Sequence, residues 1–233
     1  MNSRPRILLI HATPIAMEPI RQAFESGWPE AEAVNLLEDS LSEDRAKSRD
    51  IPDELTERFI ALTHYAKLIG SDAVLFTCSA FSKAIEVAAA GVDFPVLKPN
   101  EAMFEAAIRK GGKTAMLYTF PPSREGMEQE FREEAQRLNP EATITSLLVE
   151  GAVDAIRAGD VATHNSLVAA VASKLRGFDA ITLAHFSTAR ARAAVETVTE
   201  IPVMTSPDAA VAKLRSMFGA DAGKQGALRR AAS

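Results

Sequence analysis

The sequence holds a single cysteine, Cys78, placed where the short apolar run Ala73-Val-Leu-Phe76 breaks off into Thr77-Cys78-Ser79-Ala80 and a helix-like segment. That arrangement describes a buried strand delivering a thiol to the carboxyl edge of a parallel sheet, where α/β proteins place their ligands. A lone cysteine inside an apolar strand is ordinarily inert filling. At the mouth of a helix it lies in the positive field of unpaired N–H groups, which lowers a thiol's pKa and favours the thiolate. Cys78 is therefore predicted to be more acidic than the ~8.5 of a free cysteine, able to take a proton from carbon or to attack an electrophile. The same N–H groups, with the Ser79 hydroxyl, suit a substrate carboxylate.

A second candidate comes from an internal repeat. Asp179-Ala-Ile-Thr-Leu-Ala-His185-Phe-Ser-Thr falls without a gap on Asp72-Ala-Val-Leu-Phe-Thr-Cys78-Ser-Ala-Phe at an offset of 107, which sets His185 opposite Cys78. The offset also places Arg6-Ile-Leu-Leu-Ile-His-Ala-Thr-Pro14 on Lys113-Thr-Ala-Met-Leu-Tyr-Thr-Phe-Pro121, and Phe94-Pro-Val-Leu97 on Ile201-Pro-Val-Met204. Imidazole exchanges a proton near neutral pH, and an imidazolium facing a thiolate would help keep the sulfur ionised. The plainer alternative for His185 is a buried, hydrogen-bonded core histidine. An acid and a base on opposite faces, ringed by anion-stabilising donors, are the equipment for moving a proton at a carbon next to a carboxylate.

Strand and helix signals alternate along the chain, which implies parallel sheets with helices on both faces. In the first half, strands are predicted at 6–10, 33–37, 72–77 and 92–97, with helices after Pro14 and over 54–69, 81–90 and 100–110. The acidic, Ser-rich stretch 38–53 has no period and is predicted to be a long connection of the kind that serves as a lid or binding loop. In the second half, strands fall at 114–118, 143–148, 180–183 and 202–204, with helices over 121–138, 166–175, 188–198 and 207–218. The expected fold is α/β, with two pseudo-twofold-related lobes, each a parallel sheet flanked by helices, and the site in the cleft between them. Lobe one takes 1–98 plus 206–218, lobe two takes 99–205, and 219–233 is expected to be a mobile tail. Facing halves would line that cleft with Thr13, Pro14, Ser79 and Asn100 from one side and Thr119, Phe120, Phe186 and Ser187 from the other. These are candidates for holding substrate, although helix capping is the ordinary role for Asn100.

Composition narrows the function class. A net charge of −5 argues against nucleic-acid binding, which depends on clustered Lys and Arg. One cysteine excludes an intrachain disulfide and a multi-cysteine zinc site and fits a reducing cytoplasm. The four histidines, His11, His64, His164 and His185, show no metal-ligand spacing. No stretch approaches the roughly 20 apolar residues of a membrane span, so a cytoplasmic protein without membrane or nucleic-acid partners is expected. Gly112-Lys113-Thr114 imitates the end of a phosphate-binding loop, but Ala107 stands where that loop needs glycine. Dimers are common for such folds, so a homodimer is compatible with the sequence.

Thr77-Cys78-Ser79, its partner Leu183-Ala184-His185-Phe186-Ser187, and the helix starts Pro99-Asn-Glu-Ala102 and Ser206-Pro-Asp-Ala209 resemble the aspartate/glutamate/hydantoin racemase superfamily over roughly residues 5–218. The resemblance implies a cofactor-independent enzyme in which two cysteines, one per lobe, flank the substrate's α-carbon, one removing a proton and the other returning one to the opposite face. Cys78 matches the first cysteine, whereas His185 departs from the second. One-cysteine relatives include arylmalonate decarboxylases, which keep the second cysteine, and maleate cis-trans isomerases use the first as a nucleophile. The expectation is a racemase or isomerase of a small amino-acid-like or dicarboxylate substrate. The alternatives are a decarboxylase or lyase, a cysteine-nucleophile isomerase, and a non-catalytic carboxylate-binding protein.

Overall fold

A computed structural model describes residues 4–48 and 50–231, with side chains described as far as Gly219. Two four-stranded parallel sheets carry the molecule. The first contains β1 (Arg6–His11), β2 (Glu32–Leu37), β3 (Ala73–Phe76) and β4 (Val96–Leu97), in the order β2-β1-β3-β4. The second contains β5 (Lys113–Tyr118), β6 (Thr143–Leu148), β7 (Ala180–Leu183) and β8 (Val203–Thr205), in the order β6-β5-β7-β8. The helices are α1 (Met17–Gly27), α2 (Ser40–Ala46), α3 (Asp53–Leu68), α4 (Ser82–Ala90) and α5 (Glu101–Lys110), then α6 (Arg124–Leu138), α7 (Ala152–Arg157), α8 (Val161–Ala172), α9 (Arg192–Glu196) and α10 (Ser206–Ala231). None of the described helices is long and apolar enough to cross a membrane.

The repeat extends to individual hydrogen bonds. Asp72 accepts the Arg6 N–H at 2.7 Å, and Asp179 accepts the Lys113 N–H at 2.8 Å, so each lobe ties the first residue of its first strand to the start of its third. Val74 N–H donates to Pro95 at 2.9 Å and Ile181 N–H to Pro202 at 2.9 Å. The central strands are buried on both faces, as parallel strands covered by helices must be. Ile7, Leu9 and Leu75 pack with α1, while Leu8, Ile10 and Phe76 pack with α3 and α4. The lobes exchange their last helices. α5 leaves β4 and buries Met103, Phe104 and Ile108 beside α6 in the second lobe, whereas α10 leaves β8 and buries Ala210, Val211 and Leu214 in the first.

Several elements depart from the sequence expectation. The aperiodic stretch 38–53 contains α2, a polar helix that buries only Leu41. Arg58 of α3 secures it by ion pairs to Glu38 and to Asp44, the latter at 2.7 Å. The second lobe adds α7, and α8 starts at Val161, where the Asp160 carboxylate accepts the Thr163 N–H at 3.0 Å as an N-cap. β4 is only two residues long, beginning after Pro95. α10 runs on to Ala231, through most of the segment expected as a tail; side chains from residue 220 and residues 232–233 lie outside the description.

Candidate active site

Strand order reverses direction between β1 and β3 and again between β5 and β7, and ligands of open α/β sheets bind beyond the strand ends at such points. All four of these strands end in a loop followed by a short 3-10 turn: Pro14–Ala16, Ser79–Phe81, Pro121–Ser123 and Phe186–Ala191. The β3 end is held by a buried polar chain. His11 Nδ1 lies 2.9 Å from Thr77 Oγ1 and Nε2 lies 2.9 Å from Asn35 Oδ1. Burial keeps this imidazole below its ordinary pKa. The amide oxygen of Asn35 can only accept, so Nε2 carries the proton, and the Thr77 hydroxyl has two acceptors within reach, His11 Nδ1 and the Ile10 carbonyl at 3.3 Å.

Cys78 follows in extended conformation, φ −116° and ψ 122°, immediately before its 3-10 turn. It is half-buried and free. Its electrostatics overturn the sequence expectation of an acidic thiol. Desolvation pushes the Cys78 pKa up, and the Ala80 N–H and the Arg45 charge pull it down by less. The helix-terminus effect is present, therefore, but desolvation outweighs it. Arg45 comes from α2, donating to the Ala80 carbonyl at 3.2 Å and to Ser48 at 2.5 Å. Ser42 of the same helix donates to the Ala12 carbonyl at 2.9 Å, so α2 braces both site loops of the first lobe.

His185 has a different backbone. With φ 71° and ψ 141° it is the only non-glycine residue at positive φ among the described residues. That region is nearly glycine-only and costs of order 1–3 kcal/mol, so the surrounding structure must over-determine it. The imidazole reaches across to the first lobe, with Nδ1 3.1 Å from Ser79 Oγ and Nε2 3.5 Å from Ser123 Oγ. Ser123 gives its own proton to the Phe120 carbonyl at 2.7 Å. It can therefore only accept from Nε2–H, which leaves Nδ1 to accept the Ser79 hydroxyl. Burial drives His185 down to about 4, so these two groups are a thiol and an imidazole rather than the thiolate and imidazolium expected from the sequence.

The other candidates divide. Thr13 and Pro14 open the first-lobe turn and remain accessible, while Thr119 and Ser187 are buried beside the second-lobe turns. Phe120 contributes its carbonyl to Ser123. Asn100 does not cap α5. It is fully buried, its oxygen accepts the Ser206 hydroxyl at 2.8 Å, and its Nδ2 has no partner. Phe186 packs in the first lobe's apolar core with Ala16, Ile20 and Ala23, 1% exposed, and so anchors one lobe to the other. Arg45 and Ser123 were missed. Arg45 lay in a stretch without periodicity, and Ser123 stands where the first half carries Ala16, so the repeat did not flag it.

No protein-family model matches the sequence, and no curated protein matches it by sequence. Solved structures do match. A glutamate racemase from Bacillus anthracis superposes with a TM-score of 0.74 at 12% identity, covering 93% of this chain and 82% of that one. The fold is that of the glutamate, aspartate and allantoin racemases. An aspartate racemase from Picrophilus torridus gives a TM-score of 0.67 at 16% identity over 92% of this chain and 94% of the other. An allantoin racemase from Klebsiella pneumoniae gives 0.68 at 16% identity over 93% and 89%. The match covers both four-stranded sheets of this chain and shows the fold alone.

Proposed function

We propose that this protein is a cofactor-independent racemase or isomerase that moves a proton at the carbon next to a carboxylate of a small amino-acid-like or dicarboxylate substrate, with Cys78 and His185 serving opposite faces. The observation that carries this reading is the meeting of the two strand-end loops across the seam, Ser79 Oγ on His185 Nδ1, with His185 held in a strained backbone conformation. Strain of that kind persists where a side chain has to be aimed.

The protonation states set the direction of the chemistry. An un-ionised imidazole is a competent base and an un-ionised thiol a competent acid. From the closed resting state, His185 removes the α-proton while Cys78 returns one to the opposite face, leaving imidazolium and thiolate. The reverse reaction starts from that ion pair, which the dry site disfavours until a substrate carboxylate enters. One direction is therefore faster from the resting enzyme, while the equilibrium between enantiomers stays at unity. Ser79, Thr119 and Ser187 hydroxyls, together with N–H groups of the 3-10 turns, hold the carboxylate. The Arg45 charge steadies the thiolate when it forms. The lone free thiol suits a reducing cytoplasm.

The raised thiol pKa also favours a second reading, a decarboxylase in which Cys78 protonates the carbanion left by loss of carbon dioxide, a step needing an acid and no base. Incubating a panel of small carboxylates and amino acids in heavy water decides between them. Deuterium in the product with little in recovered substrate supports the two-base racemase. Carbon dioxide release with deuterium in the decarboxylated product supports the lyase, and neither signal on any substrate removes both.

A further inference from the structure

His185 directs both of its ring nitrogens at serines. Nδ1 lies 3.1 Å from Ser79 Oγ and Nε2 3.5 Å from Ser123 Oγ, and among the described residues its ring makes no hydrogen bond to the Cys78 sulfur. Because Ser123 gives its proton to the Phe120 carbonyl at 2.7 Å, the ring proton sits on Nε2 and the lone pair of Nδ1 faces the Ser79 hydroxyl. The first proton within reach of this base is therefore that of a serine. A hydroxyl, a base in contact with it and a third group that orients the base are the parts of an activated nucleophile.

The trio occurs once in the molecule. At the repeat offset of 107, Phe186 stands for Ser79, Cys78 for His185 and Ala16 for Ser123, so the other seam holds neither a hydroxyl nor a base at these places. The positive φ of His185 sets the ring across the seam, and Ser79 is half-buried rather than enclosed. Arg45, whose Nε donates to the Ala80 carbonyl at 3.2 Å, puts a positive charge beside the turn that carries Ser79, which favours the oxyanion of a tetrahedral intermediate. Cys78, next in the chain, stays a thiol.

We propose that Ser79 and His185 are a nucleophile and base that give this site a second activity, the transfer of the acyl group of small carboxylic esters to water through an acyl-Ser79 intermediate. Ser79 Oγ bonds to the ester carbonyl carbon as its proton passes to His185 Nδ1. The bond to the alkoxy oxygen then breaks, and the alcohol leaves with that proton. Water attacks the acyl carbon next, giving a proton to Nδ1; the bond to Oγ breaks, Oγ recovers the proton, and the acid departs. Nothing is oxidised or reduced, and water is the only co-reactant. Burial weakens His185 as a base, and uncharged Ser123 adds nothing to hold the imidazolium, so turnover is expected to be slow. The proposal shares the position of His185 with the racemase reading but needs neither Cys78 nor a proton on carbon; a carbon acid that displaces the Ser79 hydroxyl meets the same lone pair.

A fluorophosphonate tests it, because an activated serine displaces fluoride and keeps the phosphonyl group without turnover. Wild type is treated with the probe, digested, and its fragment ions read to separate Ser79 from Cys78. The adduct is expected on Ser79, to be absent when the treatment is made in urea, and to form about 10²–10⁴-fold more slowly in His185→Gln. Hydrolysis of p-nitrophenyl acetate is expected to fall by a similar factor in Ser79→Ala. No adduct, an adduct on Cys78, one that survives unfolding, or an equal rate in His185→Gln overturns the proposal. The mapping and its urea control need no variant to fold. An adduct on Ser79 in a protein that exchanges no α-proton keeps the pair and ends the racemase reading, while exchange without the adduct does the reverse.

Discussion

The two lobes share strand order, crossover helices and even the aspartate that caps the first strand, yet they differ wherever they face each other. Cys78 has ordinary extended backbone and His185 a strained one. Phe186 fills the first lobe's core, while its equivalent Ser79 meets the histidine. One seam holds Phe186 in the first lobe's apolar core and is crossed by a hydrogen bond from Arg190 to the Ile15 carbonyl at 2.8 Å, and the other carries Ser79, Ser123 and Glu130. A repeated fold thus provides two equivalent positions at no cost in architecture, and side-chain divergence at the seam makes one an apolar anchor and the other a polar contact with His185.

The sharpest way to break this comparison is to remove the paired residues. His185→Ala is expected to abolish both turnover and α-proton exchange, and Cys78→Ala to abolish turnover while leaving exchange on one face, each by about 10²–10⁴-fold, followed by NMR in heavy water. Full turnover in His185→Ala would make His185 a core residue and leave a one-residue mechanism.

A stability contrast comes next. Gly111 lies so close to Asp179 that an added Cβ would stand 2.3 Å from the Asp179 Cβ, whereas the equivalent residue in the first lobe, Arg4, carries a full side chain bonded to the Pro29 and Glu30 carbonyls at 3.0 Å. Gly111→Ala should cost about 1–3 kcal/mol in urea denaturation, the range for overpacking, and Arg4→Ala clearly less. Equal costs would mean that the two strand starts are not distinguished by this close approach.

Glycine against alanine reads out the backbone difference at the site. At His185 both substitutions lack the imidazole, so glycine should be more stable than alanine by about 1–2 kcal/mol through relief of strain. At Cys78 the order should invert, with glycine less stable by about 0.5–1 kcal/mol. The same order at both positions would remove the strained conformation from the account.

The smallest effect is on pH. A histidine whose folded pKa lies near 4, below its unfolded ~6.5, binds fewer protons when folded; its contribution is intact above ~6.5 and drains as pH falls toward 4. Relative to His185→Gln, wild type should lose about 1 kcal/mol between pH 7.5 and 5.5. Cys78→Ser should show no such difference from wild type, because the thiol stays protonated throughout that window.

Strand and helix order and the two-lobed repeat were legible in the residues because apolar periodicity and a constant offset are properties of sequence spacing. α2 was not, since a helix with one buried leucine has no period to detect and depends on ion pairs to another element. The ionisation of Cys78 was not legible either. Sequence position reveals a helix terminus behind the sulfur, but the competing desolvation arises only when two lobes close around it. Phe186 and Glu130 make the same point in opposite senses. The spacing places Phe186 beside a strand-end histidine but does not reveal that it packs inside the other lobe's core, and a glutamate on a charged helix resembles a solvated face until the seam buries it. Spacing along the chain determines which residues arrive at the strand ends; the facing of the two lobes decides which are dry, which are charged and which can touch.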